Sequence, residues 1–337
     1  MPSHKILKVS NSNPQLEDLF VKELGISYIL ARTLINRGLK TLPAAEKFLR
    51  VKLTDLEDPF SFHQMHQAVE LIRNAARKKE KVLIFSDYDV DGVTSLALLK
   101  DVFSKIGIAA LHYLPHRIKE GYGLTKTILH FVKENGIRLV VTADCGTNSH
   151  EEIKELKKIG VNVLVTDHHE SLVKEDSPAT SIINPKIAGC GYIHRDLAGV
   201  GVAYKLAQAL TGKVLAEELD LVALGTIADV VPLVNENRVI AKFGLERISQ
   251  AKRPGLEALM KSSRLKTRNI NSTLVSFILA PRLNASGRMD KADVSLQLLL
   301  SEKTEEAELL AAIIEGHNRH RQKTEAKILD EALALIG

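Results

Sequence analysis

Three short segments of the chain carry the residue types that hold metal ions. They are Ser86-Asp87-Tyr88-Asp89-Val90-Asp91-Gly92, the single Asp144, and Asp167-His168-His169. Each directly follows an apolar run: KVLIF, RLVVTA and VNVLVT. Taken singly, each has an ordinary explanation. The first opens like a calcium loop, but the twelfth position counted from Asp87 is Leu98 and not the required Glu. A lone Asp after a strand is usually a helix N-cap, and a His-His pair is a weak signal by itself. Taken together they point to a metal site. If the three apolar runs are neighbouring parallel strands, all three groups converge outside one edge of the sheet, where ligands of open α/β sheets bind. Carboxylates packed so closely repel one another and take up protons unless cations neutralise them. Oxygen and imidazole donors without a thiolate suit Mn²⁺ or Mg²⁺ and admit Zn²⁺. A dinuclear metal site is the expectation.

The surrounding pattern supplies the elements that would position these groups. Residues 1–80 read as helical. GISYILARTLINRG is apolar at helical spacing and stops at Gly38, Thr41 can cap a short helix carrying Pro43 and running through Phe48, and a third helix is expected from Phe62 through Ala76. The basic end of that helix, RKKEK, reads as a solvated terminus. From residue 81 short apolar runs alternate with stretches of helical period, which implies βαβ units and a parallel sheet covered on both faces. From about residue 197 the pattern is mostly helical, and the last segment, from Lys303 onward, reads as one long helix.

Composition narrows the classes. The chain has 337 residues, with 46 Lys and Arg against 41 Asp and Glu, a net charge of +5 that permits a nucleic-acid partner without demanding one. Tryptophan is absent and aromatics make up only 4%, which argues against a base-stacking platform. Cys145 and Cys190 are the two cysteines and form no CxxC pair, which argues against a disulfide scaffold, a structural zinc site and a c-type haem. No apolar run approaches the roughly 18 residues of a membrane span, and the N-terminus lacks a secretory h-region, so a cytoplasmic protein without a membrane partner is expected. Gly199-Val200-Gly201 is not a dinucleotide fingerprint, because Tyr204 stands where the third glycine belongs. No P-loop and no G-x-S-x-G elbow occurs.

The segments SDYDVDGVTS, VTADCG, VTDHHE and LVALGTIADVVPL resemble the successive motifs of the DHH phosphoesterase superfamily. PHRIKEGYGLT, INPK, LAGVGVAYKLAQAL and APRLNASGRM are similar to its RecJ-type branch, single-strand-specific 5′→3′ DNA exonucleases, and the resemblance runs in order over about residues 30–337. It implies an α/β fold in which a parallel sheet is flanked by helices. It implies an N-terminal helical extension over 1–80, a catalytic domain over 81–300 and a long connecting helix over 301–337. It further implies that Asp87, Asp89, Asp91, Asp144, His168 and Asp229 hold two ions, Mn²⁺ or Mg²⁺, with Asp144 bridging. His169 would face the scissile phosphate. Asp167 would orient the histidines, since ligating imidazoles usually donate their other N–H to such a group. RecJ-like chains continue into a second, DHHA1-like domain with a glycine-rich, histidine-containing motif. No GGGH-like string occurs here, so that domain is expected to be absent.

Phosphate oxygens not held by metal need donors, and arginine pairs with them bidentately. His116, Arg117, Arg282, Asn284 and Arg288 are the substrate-side candidates. The function expected is a metal-dependent phosphodiesterase acting 5′→3′ on single-stranded DNA in repair and recombination, with other DNA-repair proteins admitted as partners. One rival is a small-substrate phosphoesterase of the same superfamily, such as an oligoribonuclease, a cyclic-dinucleotide phosphodiesterase or a manganese pyrophosphatase. The motifs after residue 180 and the N-terminal helices argue against it. The other rival is a non-catalytic nucleic-acid-binding scaffold, against which every expected Asp and His is in place.

Overall fold

The computed structural model describes residues 13–336 apart from 118, 174, 266, 267, 290 and 291, and leaves the side chains of 288, 289 and 336 undescribed. The start of the expected helical extension, residues 1–12, lies outside the described residues. The chain divides into two compact units, Met1–Asp55 and Leu56–Gly337.

The first unit holds α1 (Pro14–Leu24), α2 (Tyr28–Asn36) and α3 (Leu42–Leu49). Asn13, Ser27 and Thr41 cap the three helices through side-chain oxygens, and Pro43 stands in the first turn of α3 as expected. Phe20, Leu24, Ala31, Leu34 and Ala45 form its core. Beside that core Glu17 is buried, and it accepts two bonds from the Arg32 guanidinium at 3.0 and 2.9 Å.

The second unit opens with α4 (Met65–Arg77), whose buried face is Met65, Ala68, Val69, Ile72 and Ala75. Its sequence neighbours on the N-terminal side are helices, but α4 packs on the sheet and on a later helix of this unit. The sheet has strands β1 (Lys81–Ser86), β2 (Ala110–Tyr113), β3 (Ile137–Ala143), β4 (Asn162–Thr166) and β5 (Ser181–Ile183). The order is β2-β1-β3-β4-β5 and all four pairings are parallel. The three central strands are buried almost throughout, as continuous apolar runs require. Edge strand β5 is only three residues long and carries no periodic signal, so the sequence reading passes over it. Between the strands come α5 (Val90–Lys105), α6 (Thr127–Asn135) and α7 (His150–Lys158). On one face Leu83, Phe85, Val140, Val163 and Val165 pack with Ile128 and Val132 of α6 and Ile153 and Leu156 of α7. The segment around Gly92 is the first turn of α5. Asp89 caps that helix, its Oδ1 accepting from the Gly92 N–H at 3.0 Å. The side-chain oxygen satisfies one orphan donor of the helix.

Helices α8 (Gly199–Thr211), α9 (Leu219–Ala228), α10 (Asn235–Gln250) and α11 (Pro254–Ser262) follow. Next, α12 (Ser272–Leu274) passes through a π-turn at Val275–Leu279 directly into α13 (Ala280–Met289), before α14 (Asp293–Leu300) and α15 (Thr304–Ile336). Both α8 and α9 pack on α5, and α13 touches α5, α9 and α15. One buried polar group ties α8 in place. Lys205 of α8 and Glu236 of α10 form a fully buried ion pair, Lys205 Nζ donates to the Glu57 carbonyl at 2.7 Å, and the Tyr192 hydroxyl donates to the other Glu236 oxygen. Removing one member of such a pair strands the other as a buried charge. Lys205→Met is therefore expected to cost about 3–5 kcal/mol in a urea titration. Adding Glu236→Leu should recover part of the loss, and an unchanged midpoint for Lys205→Met would show that the pair contributes nothing.

Candidate metal centre and active site

The register of the sheet makes Ser86, Ala143 and Thr166 successive neighbours across β1, β3 and β4. The next residue on each strand is Asp87, Asp144 or Asp167, so three aspartates leave the sheet side by side. Hydroxyls stitch these strand ends together. Ser86 Oγ donates to the Gly92 and Ala143 carbonyls at 2.7 and 3.1 Å, and Thr166 Oγ1 donates to the Thr142 carbonyl at 2.6 Å. In a sheet of this order the chain turns in opposite directions from the β1/β3 pair, and the crevice beyond that pair is where ligands bind.

Three overlapping sets of donor atoms meet there, each set within 4.8 Å: Asp144, His168 and His169; Asp91, His168 and Asp229; and Asp87, Asp89 and Asp144. Asp144 belongs to two sets and His168 to two. His168 Nε2 lies 3.2 Å from Asp144 Oδ1 and 3.7 Å from both Asp91 Oδ2 and Asp229 Oδ2. Asp229, at the end of α9, completes the group from a distant part of the chain.

The backbone is shaped to allow this crowding. Asp91 is held by the N-terminus of α8, its two oxygens accepting from the N–H groups of Gly199 at 2.6 Å and Val200 at 2.8 Å. A side chain at Gly199 would place its Cβ 2.5 Å from Asp144 Oδ1, so only glycine lets α8 come this close. Gly92 likewise lies where a Cβ would collide with the Asp87 carbonyl. Asp144 itself sits at φ +62°, a conformation that a non-glycine residue adopts at a cost.

Burial and mutual repulsion shift the protonation of these groups. Burial and then the Asp89 charge push Asp87 up to about 7. Burial and then Asp89 push Asp229 up to about 6. Burial, reinforced by neighbouring carboxylates, holds Asp91 and Asp144 well above the usual carboxylate range. Burial and then the His169 charge bring His168 down to about 4, so it is neutral and able to act as a ligand. Asp167 goes the other way. Burial opposes its ionisation, but hydrogen bonds from His169 and Thr147 outweigh it and bring Asp167 to about 2. Its Oδ1 accepts from the His169 ring Nδ1 at 2.7 Å and from the backbone N–H groups of His168 and His169 at 2.7 and 3.1 Å. Asp167 therefore orients the His169 ring directly, and holds His168 through its backbone alone. The hydrogen bond to Asp167 raises the proton affinity of His169.

The residues fit divalent cations. Asp87 Oδ1, Asp144 Oδ1 and both ring nitrogens of His168 are buried without a hydrogen-bond partner. Orphaned acceptors of this kind are costly unless a cation completes them. The donors are oxygens and imidazoles, as hard or borderline ions prefer.

Residues 81–226 match the DHH family, N-terminal domain. The single-stranded-DNA-specific exonuclease RecJ of Bacillus subtilis (strain 168) is 44% identical over 315 residues, covering 94% of this chain and 40% of that protein. The crystal structure of an exonuclease RecJ bound to manganese is similar with a TM-score of 0.75 and 32% identity, covering 85% of this chain and 72% of that one. The chain belongs to the RecJ family. A second RecJ structure, in complex with Mn²⁺ from Thermus thermophilus, gives a TM-score of 0.83 at 28% identity over 97% of this chain and 47% of that one. The chain spans about half the length, 40 to 55%, of the curated RecJ relatives it matches.

On this RecJ scaffold the substrate-side candidates divide. Arg117 is exposed, with its guanidinium 5.1 Å from the Tyr88 ring centre, and its charge reaches Asp87. His116 is half-buried, its N–H donating to Glu120 at 2.8 Å. Arg282, expected to face phosphate, is instead mostly buried. Its Nε donates to Glu315 of α15 at 2.8 Å and its guanidinium also reaches the Ile278 carbonyl, because helix packing brings a carboxylate to it. Asn284 Oδ1 accepts from the Val90 N–H at 3.0 Å, so it braces the first motif from α13. The Arg288 side chain lies outside the described residues.

Sequence reasoning missed several contributors. The Tyr122 hydroxyl lies 3.0 and 3.3 Å from the two ring nitrogens of His169 and reaches the Asp144 carbonyl at 3.3 Å. Asn184 Nδ2 donates to Thr147 Oγ1 and to the His169 carbonyl at 2.8 and 2.9 Å. The charge of Lys186 reaches His168 and Asp229. Tyr122, Asn184 and Lys186 fall within motifs noted above, GYGLT and INPK, but no spacing rule picks them out.

Above about pH 6.5 the shifted groups drive stability in one direction. Asp87 and Asp229 bind protons more tightly in the folded chain than in the unfolded one, where aspartate titrates near 3.9. The stability this confers is complete below the unfolded value and is lost as pH rises through the folded one. Asp91, Asp144 and His169, all raised, act in the same sense. His168, lowered to about 4, opposes them only between about pH 4 and 6.5. In EDTA the chain is expected to lose stability from about pH 6.5 to 8. Asp87→Asn should flatten that fall and be more stable than wild type by about 2 kcal/mol at the upper end. A wild-type stability that rises over this interval in urea titrations would contradict the crowding account.

Proposed function

We propose that the chain hydrolyses phosphodiester bonds of single-stranded DNA from the 5′ end, with two Mn²⁺ or Mg²⁺ ions held by Asp87, Asp89, Asp91, Asp144, His168 and Asp229. The single observation that carries this is the overlap of three donor sets through Asp144 and His168 in one buried crevice. Membership of the RecJ family supports the substrate class, and relatives holding Mn²⁺ or Mg²⁺ support the ions. Bound there, a pair of divalent cations supplies Lewis acidity, which makes water a stronger acid and offsets charge on a phosphate.

The chain's own residues do the rest. Asp167 stays ionised and fixes His169 with its Nδ1 proton directed at the carboxylate. His169, with its raised proton affinity and partial exposure, offers a cationic hydrogen-bond donor to phosphate at the mouth of the site. Tyr122 limits the swing of that ring. Arg117 stands where a guanidinium can take phosphate oxygens in pairs. Buried walls of α8 and α9 exclude bulk water from Asp91 and Asp144, which strengthens every charge interaction inside. Work in DNA repair and recombination, in the cytoplasm and beside other repair proteins, fits this activity. Among the described residues no helix is long and apolar enough to cross a membrane.

The assay is release of nucleotides from a 5′-labelled single strand during a Mn²⁺ titration. Asp144→Ala is expected to abolish release while the metal-free fold is kept, since it removes the shared donor and relieves repulsion. Release in EDTA, or a variant keeping more than a few per cent of wild-type turnover, would overturn the proposal. His169→Ala should lower turnover by about 10²–10⁴-fold, as for loss of a proton-bearing catalytic group, and a smaller change would remove His169 from that role.

A further inference from the structure

Beside the carboxylate cluster lies a cavity that the metal site does not use. Its volume is about 550 Å³, inside the range of about 300–1,000 Å³ usual for small-molecule pockets. Part of its wall is shared with the site. Thr147 lines it, with its N–H held by Asp167 at 2.9 Å, and so does Glu170, the residue after His169.

His150 is the residue there that packing does not account for. It is the first residue of α7, is 7% exposed and lines the cavity. It makes no hydrogen bond or ion pair among the described residues. Its ring nitrogens are not among the polar atoms that packing seals from solvent, so a ligand in the cavity can reach them. The turn that carries it is the positive end of the α7 dipole, and Ser149 before it makes no capping side-chain bond.

Lys186 adds a full positive charge to the same wall. It belongs to the seam between cavity and cluster, since its charge also bears on His168 and Asp229. The carboxylate recorded beside it, Glu170, is 3.9 Å away and 65% exposed, a loose pairing that an anion can displace. The rest of the lining selects among anions. Ile182 and Ile187 offer apolar surface, and Glu175 and Asp176 offer acceptors. Inorganic phosphate would satisfy His150 and Lys186 but gain nothing from the apolar wall or from the acceptors. A nucleotide answers all three: phosphate for the Lys186 ammonium and the His150 ring, the flat base for the apolar wall, and sugar hydroxyl or exocyclic amine for the carboxylates.

We propose that this cavity binds a 5′-mononucleotide through His150 and Lys186, receiving the product of hydrolysis beside the cluster. The origin of the ligand rests on the nuclease function proposed above; the chemistry of the cavity does not.

The test is isothermal titration of the chain in EDTA, where no metal can capture phosphate, with 5′-dAMP, deoxyadenosine and inorganic phosphate. The expected result is saturable dAMP binding below millimolar concentration, with each fragment at least tenfold weaker. His150→Ala should weaken dAMP at least tenfold. Ala188→Trp, which fills the cavity from an exposed wall position and so spares the core, should abolish binding and stands in if His150→Ala does not fold. Absence of saturation by dAMP, a fragment binding as tightly as dAMP, or an unchanged affinity in both variants overturns the proposal. Strand cleavage without dAMP binding overturns the cavity alone. Binding of dAMP without strand cleavage overturns the nuclease function and leaves the cavity its ligand.

Discussion

The crowding of Asp87, Asp91, Asp144 and Asp229 around His168 sets the terms on which the second unit is built, because like charges in a poorly solvated crevice repel strongly and favour every arrangement that separates them. The fold has to hold them together before any cation arrives. It does so with donors that do not move: the α8 N–H groups on Asp91, the Asp89 cap on α5, and hydroxyl bonds between adjacent strand ends. Each is short-ranged and directional, so the tolerance is small. That tolerance explains the glycines at positions 92 and 199, where one extra carbon has no room, and the strained backbone at Asp144.

What holds α8 in place matters for the same reason. Lys205 lies further along the helix whose first residues grip Asp91, and its pairing with Glu236 fixes that helix against α10 and the Glu57 segment. On the opposite side α13 does comparable work. Asn284 takes the Val90 N–H between Asp89 and Asp91, while Arg282, two residues earlier, is locked to Glu315 on α15. The first motif is thus braced by a helix that comes 194 residues later in the chain. Sheet and helical layer share one site, and neither positions it alone.

Much of this was legible in the sequence, for a definite reason. Strands 81–86, 137–143 and 162–166 are buried on both faces, so they appear as unbroken apolar runs, and the aspartates that end them stand out. What escaped has long-range causes. The partner of Arg282 is 33 residues away and that of Asp91 is 108 away, and neither distance leaves a trace in local periodicity. Strand β5 is too short to show alternation. Helix α4 has the same amphipathic pattern as the helices before it, yet its apolar face belongs to the sheet, a choice of partner that no single helix records. Asp89 shows a subtler difficulty: one carboxylate both caps a helix and belongs to a donor set, and a residue-by-residue reading assigns it one role.

The π-turn at Val275–Leu279 has a consequence of its own. A π-turn takes up one residue more than an α-turn and so absorbs an extra residue without changing the phase of the helix that continues from it. Each residue advances the helix by about 100°. Losing one residue from this segment would let it relax to ordinary α-helix with Arg282 and Asn284 still turned toward Glu315 and Val90, whereas losing a second would swing both by that angle. Substitutions on its outward side, where Phe277 is three-quarters exposed, leave the phase untouched. This stretch should therefore tolerate the loss of a single residue, where the same loss later in α13 would turn Asn284 away from Val90.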